Sequence, residues 1–272
     1  MIWSEEAENA VNKAPFFVRK KIRSKVEQFA KDRGNTRVDM DDVTDLKKQY
    51  LSKGGMEKDI KGYSLTACFG NSGCPNRITD TASLFDTMEN NLQKADLLAF
   101  LRKTVKGDLK FHHEFRVAVA DCPNACSRPQ ITDMGVIAAA VPMITDEACT
   151  GCLSCVEACR EHSITVEEET GHVAIDSGSC VQCGQCINAC PSGTIATKDT
   201  GYRVMLGGRL GRHPRLAMEL DGLYTEQQVI EILEKALTFY KTHSTNGTRF
   251  AHLLVSPEKI FLEGEEGSGH GS

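Results

Sequence analysis

The chain has 272 residues, 40% of them hydrophobic, enough for one large domain or a few small ones with a real core. Its 32 basic and 37 acidic residues give a net charge of −5 with no basic run, which argues against nucleic acid as a partner. The acidic, polar opening over 1–10 does not read as a signal peptide. The longest apolar run, 134–145, is too short to span a bilayer and contains Pro142, so a cytoplasmic protein away from the membrane is expected.

Residues 1–50 read as a small helical domain. Ser4 precedes Glu5 and Glu6 as an N-cap precedes first-turn acids. Pro15 suits the first position of a second helix, in which Phe17, Ile22, Val26, Phe29 and Ala30 recur at helical spacing. Gly34 suits its stop, and Asp39 can cap a third helix carrying Val43, Leu46 and Tyr50. The glycine- and charge-rich stretch 52–62 reads as a linker.

Residues 62–145 read as mixed structure. Cys68 and Cys74 lie in a loop rich in Gly, Asn, Ser and Pro, followed by a predicted helix over 81–102 with Leu84, Phe85, Met88 and Leu92 on one side. The alternation from Phe115 to Ala120 predicts a strand running directly into Cys122. Residues 146–199 form an internal repeat, each half a cysteine run followed by an isoleucine-containing strand. Residues 200–262 return to mixed structure, with a strand over 202–206, a glycine-rich turn, a helix after Thr225 and a strand over 251–255. Thr225 and Gln228 form a capping-box pattern, and Val229, Leu233, Ala236, Leu237 and Tyr240 make an apolar stripe. The tail 263–272 has the composition of a disordered segment.

The chain contains twelve cysteines. A disulfide framework would require an oxidising compartment, whereas tight C-x2-C pairs suit metal ligation. Cys149, Cys152, Cys155 and Cys159 form C-x2-C-x2-C-x3-C, and Cys180, Cys183, Cys186 and Cys190 repeat it. In two-cluster ferredoxins the fourth cysteine of each run serves the other cluster. That rule groups Cys149, Cys152 and Cys155 with Cys190, and Cys180, Cys183 and Cys186 with Cys159. Pro191 follows the last cysteine as in the bacterial pattern, and Arg160 stands where the first run would normally have proline. Zinc sites use two C-x2-C pairs rather than two runs of four, so electron-carrying clusters are the better reading.

The remaining cysteines, Cys68-x5-Cys74 and Cys122-x3-Cys126, fit no ferredoxin pattern. Together with Pro75, the run Cys122-Pro-Asn-Ala-Cys126-Ser-Arg-Pro-Gln, Asp133-Met-Gly135 and Leu206-Gly-Gly-Arg-Leu-Gly211, they resemble the sirohaem- and [4Fe–4S]-containing nitrite and sulfite reductases. The resemblance covers about 62–262 apart from the repeat. It implies an α+β fold: a mixed reductase half-domain interrupted by a 2[4Fe–4S] ferredoxin insertion and preceded by the helical domain. It also implies three [4Fe–4S] clusters and sirohaem. One cubane would be held by Cys68, Cys74, Cys122 and Cys126, with Cys126 bridging to the haem iron.

The implied activity is the six-electron reduction of sulfite, or alternatively of nitrite, fed by an unidentified low-potential donor. Expected cofactor contacts are Asn124, Arg128, Gly207, Gly208, Arg209, Arg212 and His213, with Arg215 in the same cluster. At the substrate, Arg116 would hold the anion, with His112, His113 or Lys110 as proton donors. Glu114 stands where the family commonly has a lysine. No second reductase half is present in the sequence, so a homo-oligomer mate or partner subunit is expected to supply one. A three-cluster electron carrier without sirohaem is the rival reading. About 1–45, from Trp3 through Pro15-Phe-Phe-Val-Arg19 to Val43, is similar to a short helical segment at the end of a light-independent protochlorophyllide reductase subunit.

Overall fold

The computed structural model describes residues 1–14, 16–52, 60–167 and 169–262. Two units are distinguished, 1–60 with 107–111 and 61–106 with the residues from 112 onward. The first unit runs β1 (Ile2–Trp3), α1 (Glu5–Asn12), α2 (Phe16–Asp32), β2 (Arg37–Val38) and α3 (Met40–Ser52), with β1 and β2 paired in parallel. Ser4 caps α1, its hydroxyl accepting from the Ala7 N–H. Beyond α2, Gly34 takes φ 78°. Its N–H donates to Lys31 O while that of Asn35 reaches Ala30 O, which satisfies carbonyls the helix end would otherwise leave open. At the start of α3 the Asp39 N–H donates to the Asp42 carboxylate at 3.1 Å, while the Asp39 side chain pairs with Arg37. Ala7, Val26, Ala30 and Val38 make the core, with Trp3 packed on it. Pro15, the linker residues 53–59 and the tail 263–272 lie outside the described residues.

The second unit contains β3 (Tyr63–Ala67), α4 (Ala82–Lys94), α5 (Leu97–Thr104), β4 (Phe115–Ala120), β5 (Met134–Ile144), α6 (Ser154–Ala158), β6 (Ile164–Val166), β7 (Val173–Ile175), α7 (Gln185–Ala189), β8 (Ile195–Leu206), β9 (Met218–Glu219), α8 (Glu226–His243), α9 (Phe250–Leu253) and α10 (Lys259–Leu262). Its sheet has the order β3-β4-β5-β8-β9. The first three strands are parallel, and β8 and β9 are antiparallel to their neighbours. β4 and the first part of β5 are buried almost throughout, as strands covered on both faces are. α8 packs on α4 and β8, and its Phe239 and Tyr240 form an aromatic core with Phe115 and Phe250. The capping box at Thr225 and Gln228 is present in full, and the five predicted stripe residues are buried.

Three elements differ from the sequence-based expectations. The helix predicted over 81–102 breaks at Asp96, which adopts φ 44° and turns its carboxylate to the Ala99 N–H as the cap of α5. Asp is among the few residues that tolerate this conformation while bonding its own backbone. The strand predicted over 251–255 is the helical turn α9. The Ala251 N–H donates to Asp133, and the carbonyls of Ala251 and Leu254 accept from Arg215, leaving no ladder to join. The strand predicted over 202–206 starts at Ile195. β5 and β8 pair from Met134–Leu206 out to Ile144–Ile195, with one irregularity at Val141/Pro142. The repeat is therefore carried at the tip of a long two-stranded arm. Among the described residues no helix is long and apolar enough to cross a membrane.

Candidate functional site

β3 and β4 are parallel neighbours, so the residues after each strand emerge at the same end of the sheet. Cys68 follows β3 and Cys122 follows β4 by two residues. The Cys68 N–H donates to Val119 O, and the Asp121 N–H donates to the Cys68 sulfur at 3.3 Å. The Asn124 amide donates to the Cys126 sulfur at 3.3 Å. Burial pushes the Cys122 thiol up, and the neighbouring Cys68, Cys74 and Cys126 push it further. The structure thus gathers all four split cysteines. Mutually repelling thiolates in one place are suited to a bound cation or cluster. Cys122 is buried and Cys126 is exposed, so one corner of the group faces outward.

The repeat shows the same chemistry twice. Gly151 and Leu153 take positive φ in the first run, as do the equivalent Gln182 and Gly184 in the second. Left-handed residues placed among right-handed ones turn successive N–H groups inward, making a concavity for an anion such as an iron–sulfur cluster. Sulfurs accept backbone N–H bonds at Cys149 from Gly151, at Cys159 from Ser163 and at Cys190 from Ile195. Burial raises the Cys155 thiol, with Cys190 and Cys149 adding to it, so Cys190 lies with the first run. Cys186 is pushed up to about 11 by burial and by Cys183 and Cys180. Cys159 joins Cys180, Cys183 and Cys186 in lining one cleft. Cys190 thus neighbours the first run, and Cys159 the second.

That cleft has a second wall made by Cys122, Pro123 and Asn124. The second run and Cys122 therefore face one another across it. Among the described residues no three Cys, His, Asp or Glu side chains close around a single metal ion. A cubane makes a different demand, because each thiolate holds its own iron at a separate corner.

The expected cofactor contacts divide into two groups. Arg128 follows Cys126 in a left-handed turn and is exposed. The glycine-rich segment folds back as a hairpin joined at Arg209 and Arg215, with exposed Leu210, Arg212 and His213 toward its tip and exposed Leu216 just past the bridge. A Cβ on Gly208 would lie 2.5 Å from Gln130 O, so glycine lets this hairpin seat directly against the turn that follows Arg128. Arg209 and Arg215 have structural partners: Arg209 donates to His213 O and Ala251 O, and Arg215 donates to Gly207, Ala251 and Leu254 carbonyls.

The expected substrate groups stand at the opposite end of β4. Arg116 is its second residue, and the helical turn Phe111–His113 precedes it. Six residues of extended chain separate Arg116 from Cys122 by roughly 15–20 Å. The His112 and His113 rings lie edge to face at 4.2 Å, and the His113 carbonyl accepts from the Tyr240 hydroxyl. Lys110 belongs to the first unit. Glu114 is buried and accepts from the Lys61 N–H at 3.0 Å, so it secures the entry to β3.

Sequence reasoning gave no role to the side chains of Asp133 and Asp121. Asp133 is buried and binds the Arg116 and Ala251 N–H groups and the Arg249 guanidinium, joining β4, β5 and α9. Asp121, also buried, lies beneath the Cys68–Cys74 loop. Its position immediately before Cys122 was the available signal.

Comparison with known proteins agrees with this geometry. The model of the nitrite and sulphite reductase 4Fe-4S domain matches residues 61–256, and that of the proto-chlorophyllide reductase 57 kD subunit matches 3–47. The chain is 30% identical over 211 residues to a coenzyme F420-dependent sulfite reductase of Methanocaldococcus jannaschii, covering 76% of this chain and 31% of that protein. It is 29% identical over 202 residues to one subunit of the anaerobic sulfite reductase of Salmonella typhimurium, covering 73% and 53%. It therefore spans only about a third to a half of these relatives. The N-terminal segment is 54% identical over 41 residues to one subunit of the light-independent protochlorophyllide reductase of Chlorobium limicola, covering 15% and 8%. In fold it is similar to a dissimilatory sulfite reductase I crystal structure, with TM-score 0.50, 18% identity, and coverage of 73% and 51%. With the reductase model running through both halves of the sheet and across the four gathered cysteines, the chain belongs to the nitrite and sulphite reductase 4Fe-4S domain family.

Proposed function

We propose that this chain is a sirohaem-dependent sulfite reductase supplied with electrons through its own 2[4Fe–4S] ferredoxin segment, 146–199. The observation that carries the reading is the cleft between the Cys159, Cys180, Cys183 and Cys186 thiols and the Cys122–Asn124 loop. It brings the second cysteine run beside the Cys122 loop within one chain, which supports a ferredoxin-type ligand set acting on a reductase-type one. The clusters would supply single electrons, and the sirohaem would supply the iron that binds the oxyanion during six-electron reduction to sulfide.

The residues suit those groups. Cys68, Cys74, Cys122 and Cys126 would hold the cubane, and exposed Cys126 is the thiolate able to reach a haem iron as well. Phe69 and Leu210, exposed at 84% and 57%, offer apolar surface to a flat ring. Arg128, Arg212 and His213 offer positive or hydrogen-bonding groups to its carboxylates, and Asn124 would steady the bridging thiolate, whereas Gly207 and Gly208 turn their free side toward the protein's own Arg215 and Gln130. In this reading Arg116 holds the anion, and His112 or His113 supplies protons. That role requires the substrate face to extend along β4, and Arg116→Ala tests it: a raised KM for sulfite is expected, and an unchanged KM removes Arg116 from the site.

A relative that is itself one subunit of an anaerobic sulfite reductase supports a homo-oligomer mate or partner subunit that completes the haem enclosure. A cytoplasmic setting and a low-potential electron donor complete the reading, with no membrane or nucleic-acid partner. Nitrite, reduced to ammonia, is the alternative substrate because the same positive face accepts either anion. A three-cluster carrier without sirohaem is favoured by one observation: Arg209 and Arg215 direct donors to backbone carbonyls within the fold.

Anaerobic turnover with chemically reduced viologen tests the function. Sulfite-dependent dye oxidation with sulfide formed in proportion is expected, faster than with nitrite. Faster nitrite turnover would reassign the substrate, and no turnover with either anion in cluster-replete protein would leave the carrier.

A further inference from the structure

We infer that Asp121 is a positioning residue whose buried carboxylate, pressed against Gly70, fixes the Cys68–Cys74 loop and sets the reduction potential of the cubane. The inference rests on the reading that Cys68, Cys74, Cys122 and Cys126 hold that cluster. Asp121 is 1% exposed, between the end of β4 and Cys122. Its main chain already braces the loop: its N–H donates to the Cys68 sulfur, and its carbonyl accepts from the Ile78 N–H at 3.0 Å. One carboxylate oxygen, Oδ1, accepts from the fully buried Thr81 hydroxyl at 2.7 Å. The other, Oδ2, is buried and has no hydrogen-bond partner.

That second oxygen points at the loop. A Cβ built on Gly70 would lie 1.8 Å from Oδ2 and 2.4 Å from the carboxylate carbon. Gly70 sits between the two ligand cysteines, and its carbonyl accepts from the Cys74 N–H at 3.3 Å, so the loop closes over the carboxylate. A polar oxygen left unpaired in the interior is costly unless its position does something. Here negative charge lies beneath the ligands of an electron-accepting cluster. Charge and hydrogen bonding around the sulfurs are the levers by which a protein sets such a potential. Negative charge stabilises the oxidised form and lowers the midpoint.

The test is an EPR-monitored redox titration of the whole chain, purified anaerobically. In Asp121→Asn, which keeps the shape and an acceptor for Thr81, the midpoint of the reductase cubane should rise while those of the repeat's clusters hold. An intact cubane with an unmoved midpoint would overturn the inference. Gly70→Ala should lose this cubane's signal and keep the others, and adding Asp121→Gly should restore it. A Gly70→Ala protein with an undisturbed signal would contradict the close approach. If Asp121→Asn does not assemble the cubane, Thr81→Val keeps the charge and removes its partner. It should lower the midpoint, and no shift there would refute the assignment. Absence of a cubane signal from the unaltered chain would be a failure of the ligand reading, separate from any failure of Asp121.

Discussion

Glu114 shows how a side chain's surroundings decide what its charge means. Its sequence position suggests a charge reversal at a substrate face, yet the carboxylate is buried and bonded to the Lys61 N–H. Burial raises its pKa from 4.5, only partly offset by that N–H and by Arg116. A carboxyl with a raised folded pKa favours the folded state when protonated. Its contribution is complete below the unfolded value and declines as pH rises through the folded one. Glu114→Gln, which keeps the acceptor for Lys61, should therefore gain stability over the unaltered chain as pH rises from 4.5 toward neutrality, read by thermal unfolding at a series of pH values. A difference independent of pH would show that Glu114 is not desolvated. Glu114→Lys places a second cation by the Lys61 backbone and removes the acceptor, so we expect a loss of about 1–3 kcal/mol from the orphaned donor alone. Asn124→Ala deletes the donor to the Cys126 sulfur. On the proposed reading, in which Cys126 joins cluster and haem, we expect the haem–cluster spectroscopic coupling to change while the repeat's cluster signals stay fixed; an unaltered coupling would show that the amide does not steady that thiolate.

At the scale of elements, local chemistry was readable where it is self-contained. Ser4, Gly34 and the Thr225–Gln228 box act through backbone groups within a few residues, so the sequence displays both partners. Thr225→Ala should cost about 1 kcal/mol, seen as a lower denaturation midpoint with unchanged slope; no shift would mean that α8 is held by its buried stripe alone. The grouping of each cysteine run was legible for the same reason: closely spaced residues of one tight loop stay together in the fold. Elements that failed to show depend on distant partners. α9 is helical because Asp133, Arg209 and Arg215 claim its backbone groups from across the fold. Asp199-Thr200-Gly201 resembles a turn, yet it continues β8 because Val141, Ala140 and Ala139 lie opposite. The arginines of the hairpin read as ligand contacts, whereas two of them brace the main chain. Gly135 belongs here as well: a Cβ would lie 2.3 Å from Pro129 O. Gly135→Ala should fail to yield folded protein, and a stable, cluster-replete variant would contradict the packing of β5 on the turn before it.

At the scale of the whole molecule, the β5–β8 arm explains how the cysteine-rich repeat can interrupt the reductase-family domain without breaking its sheet. The arm extends beyond the end of β4 and delivers the second cysteine run to the loop that carries Cys122. Joining Val141 to Asp199 through a two-residue Asn-Gly turn should leave the five-stranded sheet intact and the cubane of the split cysteines assembled, because these two residues already pair. Such a protein should lose turnover with a protein donor; failure to fold would show that the segment is part of the core. The central claim concerns sirohaem, and an absorption spectrum with iron and sirohaem assays on the anaerobically purified whole chain tests it most directly. Sirohaem absorption at the red end of the spectrum, together with iron for three cubanes by the ligand count, is the expected result. The same iron content without sirohaem would contradict it and leave an electron carrier.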